Sequence, residues 1–450
     1  MPTLPEFYTI PLEDRHPLLL DAVLAQHAWH YPRNAAYRHH CEGRGIGPQI
    51  GESDLVRALR PTAQTFKSYV GELGTAFPQD CPADFARWLT AQLSVEMVSE
   101  RWQGLRPRYG TLEALLAALE ALFAAEGWRI ATSSGTSGRA SIMVRDEATF
   151  SLALDSFFLG IRHAWGIDLD FRLIFVMPED TRIAMAQAAR FGTERLGYVE
   201  RGQVNYTIPF PASPDAIRIR TARTLRAGLR GWFEKHVAAP FMNWMGEHVA
   251  LPRSTRATVE VLCRAAEAGE KLMLFGGLIQ LHGVALALRD RGGLDLPPGC
   301  LVGTGGGMKE AYDHSYAEIR RDIAVTLRSG GQPILIRDVY GMAEANWAAF
   351  ECPEGHHHLP PWLYAVALDT ADSIIASPDA EGILAFYDPY GGGDLFPPFF
   401  KTTDHVHLIN GGSWYDPARA CPCGELTAYI TAGTIARADL MDESGCAGQM

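Results

Sequence analysis

Two short segments of this 450-residue chain combine glycine with groups that donate hydrogen bonds to anions. Ala131–Ser141 reads ATSSGTSGRAS and follows an apolar run, and Gly303–Lys309 reads GTGGGMK and follows another. Glycine lets the backbone approach an anion closely, while hydroxyls and successive N–H groups donate to phosphate oxygens. The first segment predicts phosphate binding, but it lacks the Gly-Lys-Ser/Thr ending of a Walker-type P-loop, and alone it also fits an ordinary small-residue turn.

Two further segments supply groups that suit a nucleotide. DVYGMAE, at Asp338–Glu344, follows the run PILIR, and KTTDHVHLI spans Lys401–Ile409. The four segments together offer glycines, hydroxyls, an aromatic ring and two carboxylates at the ends of predicted strands. Nucleotides bind at the carboxyl ends of the strands in open α/β sheets, so the set predicts a nucleotide site there.

A second constellation has the residue types of a metal site. Cys352, the run His356-His357-His358, and the pair Cys421 and Cys423 form a Cys…His…Cys-x-Cys set. Three thiolates and one imidazole suit tetrahedral Zn²⁺, and four protein ligands leave no open position, so a structural site is predicted. We take Cys352, His358, Cys421 and Cys423 as the ligands, with His358 chosen among three neighbours. The alternative is reduced surface thiols beside an unrelated histidine turn.

The elements that must position these residues alternate between apolar strands and amphipathic helices, which predicts an α/β architecture with a largely parallel sheet. The predicted strand–helix pairs are WRIATSS with a helix near 146–163, RLIFVM with a helix near 182–193, KLMLFGG with LIQLHGVALALRDRG, GCLVGTGG with AYDHSYAEIRRDIAVTL, and PILIRDVYG with MAEANWAAF. After about residue 350, short strands separated by Gly, Pro and Asp predict an antiparallel β unit.

The predicted organisation has four parts. Residues 1–105 form a helical N-terminal region, and 106–350 form the α/β nucleotide- and acyl-binding core. Residues 351–437 form the β subdomain with the metal cluster, and 438–450 form a short tail. One helix is predicted over TLEALLAALEALFAAEG, with Thr111 as its N-cap and Gly127 as its stop.

Charge and hydropathy exclude several classes of function. Forty basic against 52 acidic side chains give a net charge of −12, which argues against general nucleic-acid binding. No apolar run of 18 residues is present, so no membrane-spanning segment is predicted. The N-terminus has early acids and prolines and does not resemble a signal peptide. We therefore expect a cytoplasmic protein with mostly reduced cysteines.

In order along the chain, four motifs resemble those of the adenylate-forming superfamily of acyl-CoA synthetases, luciferases and peptide-synthetase adenylation domains. SSGTSGRAS resembles its SGTTGxPK phosphate loop, YGMAE its YGxTE, TTD its TGD, and TIARADL its GRxDD. GGGMK and FECPEGHHHLPPW are most similar to the arm of phenylacetate-CoA ligases and luciferase-operon acyl-protein synthetases, which includes carboxylate activators of phenazine-type pathways. The resemblance implies a large α/β N-terminal adenylate-forming domain with mostly parallel sheets, here with an appended antiparallel β unit.

The resemblance also implies roles for individual residues. Five residues would hold the ATP phosphates: Ser134, Gly135, Thr136, Ser137 and Gly138. Three would line the adenine and the acyl carboxylate: Gly305, Gly306 and Gly307. Four more complete the set, with Tyr340 on the adenine, Glu344 on Mg²⁺, Asp404 on the ribose, and Arg437 beside the ribose or phosphate. The plain alternatives are a core aromatic for Tyr340, a turn residue for Asp404 and a surface charge for Arg437.

The sequence departs from the family pattern in two places. Ser141 stands where the phosphate loop usually ends in lysine, so either Arg139 takes that role or no cation does and turnover is slow. The mobile C-terminal domain that normally carries a catalytic lysine is expected to be absent or truncated. Lys309 of GGGMK is the predicted substitute, and the alternative is a solvated lysine at the start of a helix.

The predicted function is ATP-dependent activation of an aryl or acyl carboxylic acid as an acyl-adenylate, followed by transfer to a thiol or amine. Coenzyme A, a carrier protein and Cys446 are the candidate thiols. Phe275, Gly276, Gly277 and Trp244 are expected to border the acid, and their apolar character favours an aryl or medium-length substrate. The alternative is a non-catalytic nucleotide-binding partner of another subunit. The sequence leaves open whether the chain forms a homodimer.

Overall fold

The computed structural model describes residues 2–95, 99–133, 140–168, 170–220, 228–306 and 312–437. Within these residues the chain forms two compact units. The first unit contains the described residues of 2–133, 140–166 and 342–437, and the second contains those of 167–341. The predicted segments 1–105 and 351–437 thus fall in the first unit, and the second unit lies within the predicted core segment 106–350.

The α-helices concentrate before residue 330. They are α1 Leu4–Phe7, α2 Leu12–His30, α3 Ala35–Gly43, α4 Leu55–Ala58, α5 Thr62–Phe66, α6 Tyr69–Glu72, α7 Pro82–Ala91, α8 Leu112–Leu122, α9 Glu147–Trp165, α10 Ala184–Arg195, α11 Pro214–Arg220, α12 Gly228–Phe233, α13 Ala239–Met245, α14 Leu251–Glu267, α15 Leu278–Arg289 and α16 Tyr316–Thr326. Two π-helical turns, Glu234–Ala238 and Gly246–Ala250, join α12 to α13 and α13 to α14.

The strands concentrate after residue 270. They are β1 Arg60–Pro61, β2 Arg129–Thr132, β3 Ile142–Arg145, β4 Arg172–Pro178, β5 Val204–Ile208, β6 Leu272–Gly277, β7 Leu294–Leu296, β8 Leu301–Gly305, β9 Leu327–Ser329, β10 Gln332–Pro333, β11 Leu335–Gly341, β12 Ala348–Glu351, β13 His357–His358, β14 Tyr364–Leu368, β15 Asp379–Tyr387, β16 Phe399–Ile409, β17 Tyr429–Ile430 and β18 Ala436–Arg437.

The second unit contains the predicted parallel sheet, in the order β11-β8-β6-β4-β5. The central strands read as continuous apolar runs, as expected for strands covered on both faces. Leu274 of β6 and Val302 of β8 are fully buried in one core with Leu262 of α14, Leu281 of α15 and Ile323 of α16. Because the strands are parallel, the loops after β6, β8 and β11 leave the sheet at the same edge.

The first unit contains the predicted antiparallel β structure. Its strands follow the order β14-β15-β16-β17-β13-β12, and β1 and β18 also pair with β16. β14, β15 and β16 correspond to the predicted strands LYAVALD, GILAFYD and HVHLI and pair antiparallel. Helices of the N-terminal region cover this sheet, and Phe7 and Tyr37 are buried in one cluster with Tyr387 and Phe399.

Local sequence signals predicted helix α8 well. The Thr111 side chain accepts a hydrogen bond from the Ala114 amide at 3.1 Å, which is the expected N-cap geometry. α8 ends at Leu122, a short 3₁₀ turn follows, and Gly127 adopts the left-handed conformation with φ of 67°. Glycine suits this position because it takes positive φ without steric cost.

The prediction of a helix over MAEANWAAF is wrong. Residues 342–347 form a turn, and Ala348–Glu351 form strand β12. Packing of Phe350 explains the difference: a Cβ on Gly160 of α9 would lie 2.1 Å from its ring, so the ring packs directly on the backbone of α9. Trp165 also meets the Phe350 ring edge-on at 5.4 Å. Tertiary contacts outweigh the helical propensity of the alanines here.

The phosphate-loop segment does not lead directly into helix α9. β3 intervenes and pairs antiparallel with β2, which makes the two strands a hairpin. Ile142, Met143 and Val144 are all buried, so the segment before Asp146 is a buried strand rather than a loop. α9 does begin as predicted, because the Asp146 side chain accepts from the Thr149 amide at 2.8 Å.

Within the described residues, none of the helices has both the length and the apolar character needed to cross a lipid bilayer.

Candidate active site and metal centre

Strands β2 and β3 flank the predicted phosphate loop in the chain and pair with each other. The Ser133 amide donates to the Ser141 carbonyl at 3.0 Å, and the Ser141 amide donates to the Ser133 hydroxyl at 2.9 Å. The predicted phosphate ligands, the five residues of 134–138, and Arg139 lie outside the described residues. The structure therefore fixes both ends of the loop.

Ser141, which stands at the position of the family lysine, contacts a second predicted site residue. Its hydroxyl donates a hydrogen bond to the Glu344 carboxylate, 203 residues further along the chain. The Ser141 side chain is fully buried, whereas Glu344 is partly exposed. The buried hydroxyl thus orients one carboxylate oxygen of Glu344.

Arg145, which the sequence analysis did not single out, supports the segment that carries Glu344. Its guanidinium is 2% exposed and donates from Nη2 to the Ala343 carbonyl at 2.9 Å. Nη1 is buried and has no hydrogen-bond partner in the described part of the chain. Burial lowers the pKa of Arg145 to about 10, while the charges of Glu344 and Asp388 favour its cationic form. Arg145 is therefore cationic at neutral pH.

Asp388 is the second buried charge in this region that sequence reasoning missed. Its carboxylate accepts from the Tyr390 amide at 3.0 Å and from the Gly391 amide at 2.9 Å. Burial raises the pKa of Asp388 to about 6, and the two amides and Arg145 act against that shift. One sequence signal could have indicated the pair of Arg145 and Asp388: an arginine directly after an apolar run, as in IMVR.

Asp404 and Arg437, both predicted to lie near the ribose, occupy paired positions. β16 and β18 run antiparallel, with Asp404 directly opposite Arg437. The Asp404 amide donates to the Thr402 hydroxyl at 3.0 Å, which fixes the backbone at the TTD motif. The structure thus brings two distant motifs together by strand register, and their role at a ribose stays a prediction.

In the second unit, the predicted nucleotide residues lie at the carboxyl edge of the parallel sheet. Gly305 is aligned with Gly277 of β6 and with Val339 of β11. Gly306 follows with φ of 87°, a conformation that favours glycine, and Tyr340 lies next to Val339 at the end of β11. Gly307 and Lys309 lie outside the described residues.

The residues predicted to border the acid are found in two different environments. Phe275 is 3% exposed, and its ring occupies the space that a Cβ on Gly303 would need, only 2.3 Å away. Gly276 is equally constrained, since a Cβ there would lie 2.9 Å from Val176. Trp244 is 51% exposed and stacks on His248, so it does not join Phe275 in an enclosed pocket. Whether these residues border the acid stays a prediction.

The four predicted metal ligands converge in the first unit. One ligand atom from each of Cys352, His358, Cys421 and Cys423 lies within 4.8 Å of every other. The Cys352 and Cys421 sulfurs are 3.8 Å apart, and the Cys423 sulfur is 3.3 Å from His358 Nε2. Bonds of about 2.3 Å to sulfur would place two thiolates of a tetrahedral zinc site about 3.8 Å apart. The geometry fits a four-coordinate ion.

Neighbouring groups select His358 among the three histidines. Its Nδ1 lies 2.9 Å from the Thr427 hydroxyl, which leaves Nε2 directed at Cys423. His356 instead accepts the Ala432 amide on Nδ1 at 3.0 Å and stacks on Tyr429. A hydrogen bond on the second ring nitrogen is the usual support of a metal-bound imidazole.

Burial affects the titration of this cluster strongly. It lowers the pKa of His358 to about 3 and raises the pKa values of Cys352 and Cys421 above their ordinary range. Desolvation is the first cause in each case, because the charged form loses its hydration. A divalent cation reverses this tendency for the thiols, since a coordinated thiol is deprotonated.

Comparisons with known proteins agree with the fold and the motifs. Residues 248–450 match the family model described as acyl-protein synthetase, LuxE. The long-chain-fatty-acid–luciferin-component ligase of Vibrio harveyi is 26% identical over 160 residues, 34% of this chain and 40% of that protein. The chain therefore matches about two fifths of the length of this curated relative.

Solved structures with a similar fold include CoA ligases. An open conformation of 2-hydroxyisobutyryl-CoA ligase in complex with 2-HIB-AMP and CoA has a TM-score of 0.57 and 14% identity, over 96% of this chain and 77% of that one. The thioesterification state of the same ligase has a TM-score of 0.55 and 14% identity, over 96% and 70%. The predicted α/β fold class is confirmed, as is the resemblance to acyl-protein synthetases over residues 248–450.

Proposed function

We propose that the protein activates a carboxylic acid with ATP, forming an acyl-adenylate and pyrophosphate, and then passes the acyl group to a thiol or an amine. The observation that carries this proposal is the hydrogen bond from Ser141 to Glu344. It joins the end of the phosphate-loop hairpin to the YGMAE segment, as a site for ATP phosphates and their metal requires. The family match at 248–450 and the fold of a CoA ligase support the same chemistry.

In the adenylation step, a carboxylate oxygen of the acid forms a bond to the α-phosphorus of ATP, and the bond to the pyrophosphate oxygen breaks. Residues 134–138 would donate hydrogen bonds to the phosphates, Tyr340 would stack on the adenine and Asp404 would accept from the ribose. Glu344 would hold Mg²⁺, which would neutralise phosphate charge. Ser141 and Arg145 orient Glu344 through the contacts described above. Positioning and charge stabilisation supply most of the catalysis in such phosphoryl chemistry.

We further propose Lys309 as the cation that acts on the developing charge. It follows the glycines at the end of β8, the edge at which Gly305 and Gly306 lie. Lys309→Ala is expected to slow adenylate formation by orders of magnitude. Pyrophosphate release at the wild-type rate in that variant would remove Lys309 from the mechanism.

For the second step, the proposed acceptor is a thiol: coenzyme A, a carrier protein or Cys446. A thiolate is a good acyl acceptor because it is strongly nucleophilic near neutral pH. Incubation with acid and ATP, followed by mass analysis of the C-terminal peptide, distinguishes them. An acyl mass shift on the peptide containing Cys446 identifies self-acylation, and its absence together with an acyl-CoA product identifies coenzyme A.

Acid-dependent exchange of labelled pyrophosphate into ATP tests the whole proposal. A panel of aryl, fatty and amino acids should give exchange with aryl or medium-length acyl acids above the others. Tight ATP binding without exchange on any acid would favour the alternative, a non-catalytic nucleotide-binding partner of another subunit.

We also propose that Cys352, His358, Cys421 and Cys423 hold a structural Zn²⁺. Four protein ligands leave no open coordination position, so the ion would clamp β13 to the turn at 421–423 rather than take part in catalysis. Metal analysis of protein purified without a histidine tag should find one zinc per chain. Protein that is folded at full stability without any bound metal would contradict this.

A further inference from the structure

An exposed aromatic surface lies on one helical segment of the second unit. Among the described residues, four of the five exposed tryptophan and phenylalanine side chains lie between 232 and 244, and Trp29 is the fifth. The aromatic face, as we name it, consists of Leu229, Trp232, Phe233, Val237, Phe241, Trp244 and Leu251. Exposed fractions reach 88% for Leu229 and 61% for Phe241. Exposed apolar patches of this kind usually mark an interaction site.

The same segment is basic in an otherwise acidic chain. The segment that carries the aromatic face also has four exposed basic side chains, namely Arg230, Lys235, Arg253 and Arg256, against the two acids Glu234 and Glu247. The chain as a whole carries a net charge of −12. Positive charge is thus concentrated beside the exposed aromatics.

We infer that the aromatic face docks on the surface of an anionic phospholipid bilayer. Tryptophan, phenylalanine and leucine on one face with arginine and lysine at its sides is the composition of helices that lie in a membrane interface. The apolar side chains would enter the boundary between headgroups and acyl chains, while the basic side chains reach lipid phosphates. The acidic remainder of the chain is repelled by the same surface, which orients the protein with this face towards the lipid.

Charge argues against a second copy of the chain as the occupant. In a twofold dimer the same patch meets itself, so the basic side chains at its edges would face one another. Like charges brought together in this way oppose association. An acidic protein partner would satisfy the charge, but protein–protein interfaces of the non-obligate kind are no more apolar than the remaining surface. The lipid surface satisfies both the charge and the apolar area.

Vesicle sedimentation tests this inference directly. The full chain should sediment with mixed phosphatidylcholine and phosphatidylglycerol vesicles, remain in solution with phosphatidylcholine alone, and dissociate as salt is raised. The double variant Trp232→Ser and Phe241→Ser should bind about tenfold more weakly or worse, because it removes two interfacial anchors. Arg230→Gln and Lys235→Gln should weaken binding roughly fivefold for each charge removed.

Matched controls lie elsewhere on the surface. Trp29→Ser removes an exposed tryptophan of the first unit, and Arg87→Gln with Arg321→Gln removes two exposed charges. All of these should bind vesicles as the wild type does. Since every substituted side chain is exposed, thermal unfolding should be unchanged.

Three outcomes would overturn the inference. The inference is wrong if the wild-type protein binds neither kind of vesicle. It is also wrong if the double variant binds vesicles as tightly as the wild type. A change in oligomeric state of the double variant, without vesicle binding by the wild type, would reassign the face to self-association. Vesicle binding requires no ATP, so the two proposals can be tested separately. The protein can activate an acid without binding vesicles, and it can bind vesicles without activating an acid.

Discussion

The proposed metal cluster and the proposed nucleotide site differ in how completely the fold assembles them. All four predicted ligands of the cluster are described, three of them are buried, and their ligand atoms lie within 4.8 Å of one another. In the first unit, the predicted nucleotide residues are found as two separate pairs, Ser141 with Glu344 and Asp404 with Arg437. In the second unit, the predicted glycines lie at the carboxyl edge of the parallel sheet. Several of their side chains are partly exposed.

The difference reflects what each region must do. A structural ion stabilises a fold only if its ligands are held together, so burial and a second hydrogen bond on the imidazole are required. A site that binds substrates needs open space and groups that close on the ligand, so partial exposure is expected. The Arg145 network shows how rigid support can lie beneath such an open site, because it holds the backbone of the Glu344 segment without occupying the surface.

The largest effect is expected from Glu344→Gln. The amide keeps the size of the side chain but loses the charge that holds Mg²⁺, so pyrophosphate exchange should fall roughly 10²–10³-fold. Unfolding in denaturant should change little because the side chain is partly exposed. Glu381→Gln, at an exposed position of β15, is the control and should keep full exchange. Full exchange in Glu344→Gln as well would separate this carboxylate from the reaction.

Cys421→Ser tests the proposed metal cluster. Losing one of four ligands should remove the metal and cost about 3–5 kcal/mol in the free energy of unfolding. Exchange per folded molecule at low temperature should stay near wild type, because the cluster holds the fold rather than the substrate. Cys263→Ser, at a half-buried free thiol, should retain metal and stability. Equal loss of metal in both variants would show that the ion does not depend on this cluster.

Arg145→Met should separate activity from stability. The variant removes a buried charge whose Nη1 has no hydrogen-bond partner among the described residues, so the free energy of unfolding should change by less than about 2 kcal/mol in either direction. Exchange should still fall roughly tenfold or more, because the Ala343 carbonyl loses its donor and Glu344 loses its support. We expect kcat to fall with little change in the KM for ATP, and Arg145→Lys to restore part of the rate.

A purely structural role for Arg145 would give a different pattern. The free energy of unfolding and the rate of exchange would then fall together in Arg145→Met, and the midpoint of thermal unfolding would fall with them. Denaturant unfolding and single-turnover kinetics on the same preparations distinguish the two cases.

The smallest effect is expected from Thr427→Val. Valine removes the hydroxyl that contacts His358 Nδ1, so metal affinity should fall about tenfold while the ion remains bound in the isolated protein. Competition with a chelator measures this change. Thr434→Val, which alters a hydroxyl contact on a turn outside the cluster, is the matched control. Unaltered affinity in Thr427→Val would show that this hydroxyl does not support the ligand.

Much of the fold could be predicted from short-range features of the sequence, such as apolar runs and capping residues. The apolar runs at β6 and β8 predicted a parallel sheet, and Thr111 and Gly127 marked the start and end of α8 and its following turn. These signals succeed because capping and periodic burial depend on residues close together in the chain. The segment 342–351 failed because the packing of Phe350 against Gly160, far away in sequence, decided its conformation.

The sequence by itself determined the residue types of both sites: the glycine and hydroxyl loop, the carboxylates, and three cysteines with a histidine run. Only the tertiary structure decided that Ser141 orients Glu344, that buried Arg145 supports it, and that His358 rather than His356 faces the thiols. It also decided that Trp244 is half exposed whereas Phe275 is buried. Residue types set which chemistry is available, whereas strand register and burial, which depend on contacts between distant segments, set which atoms meet.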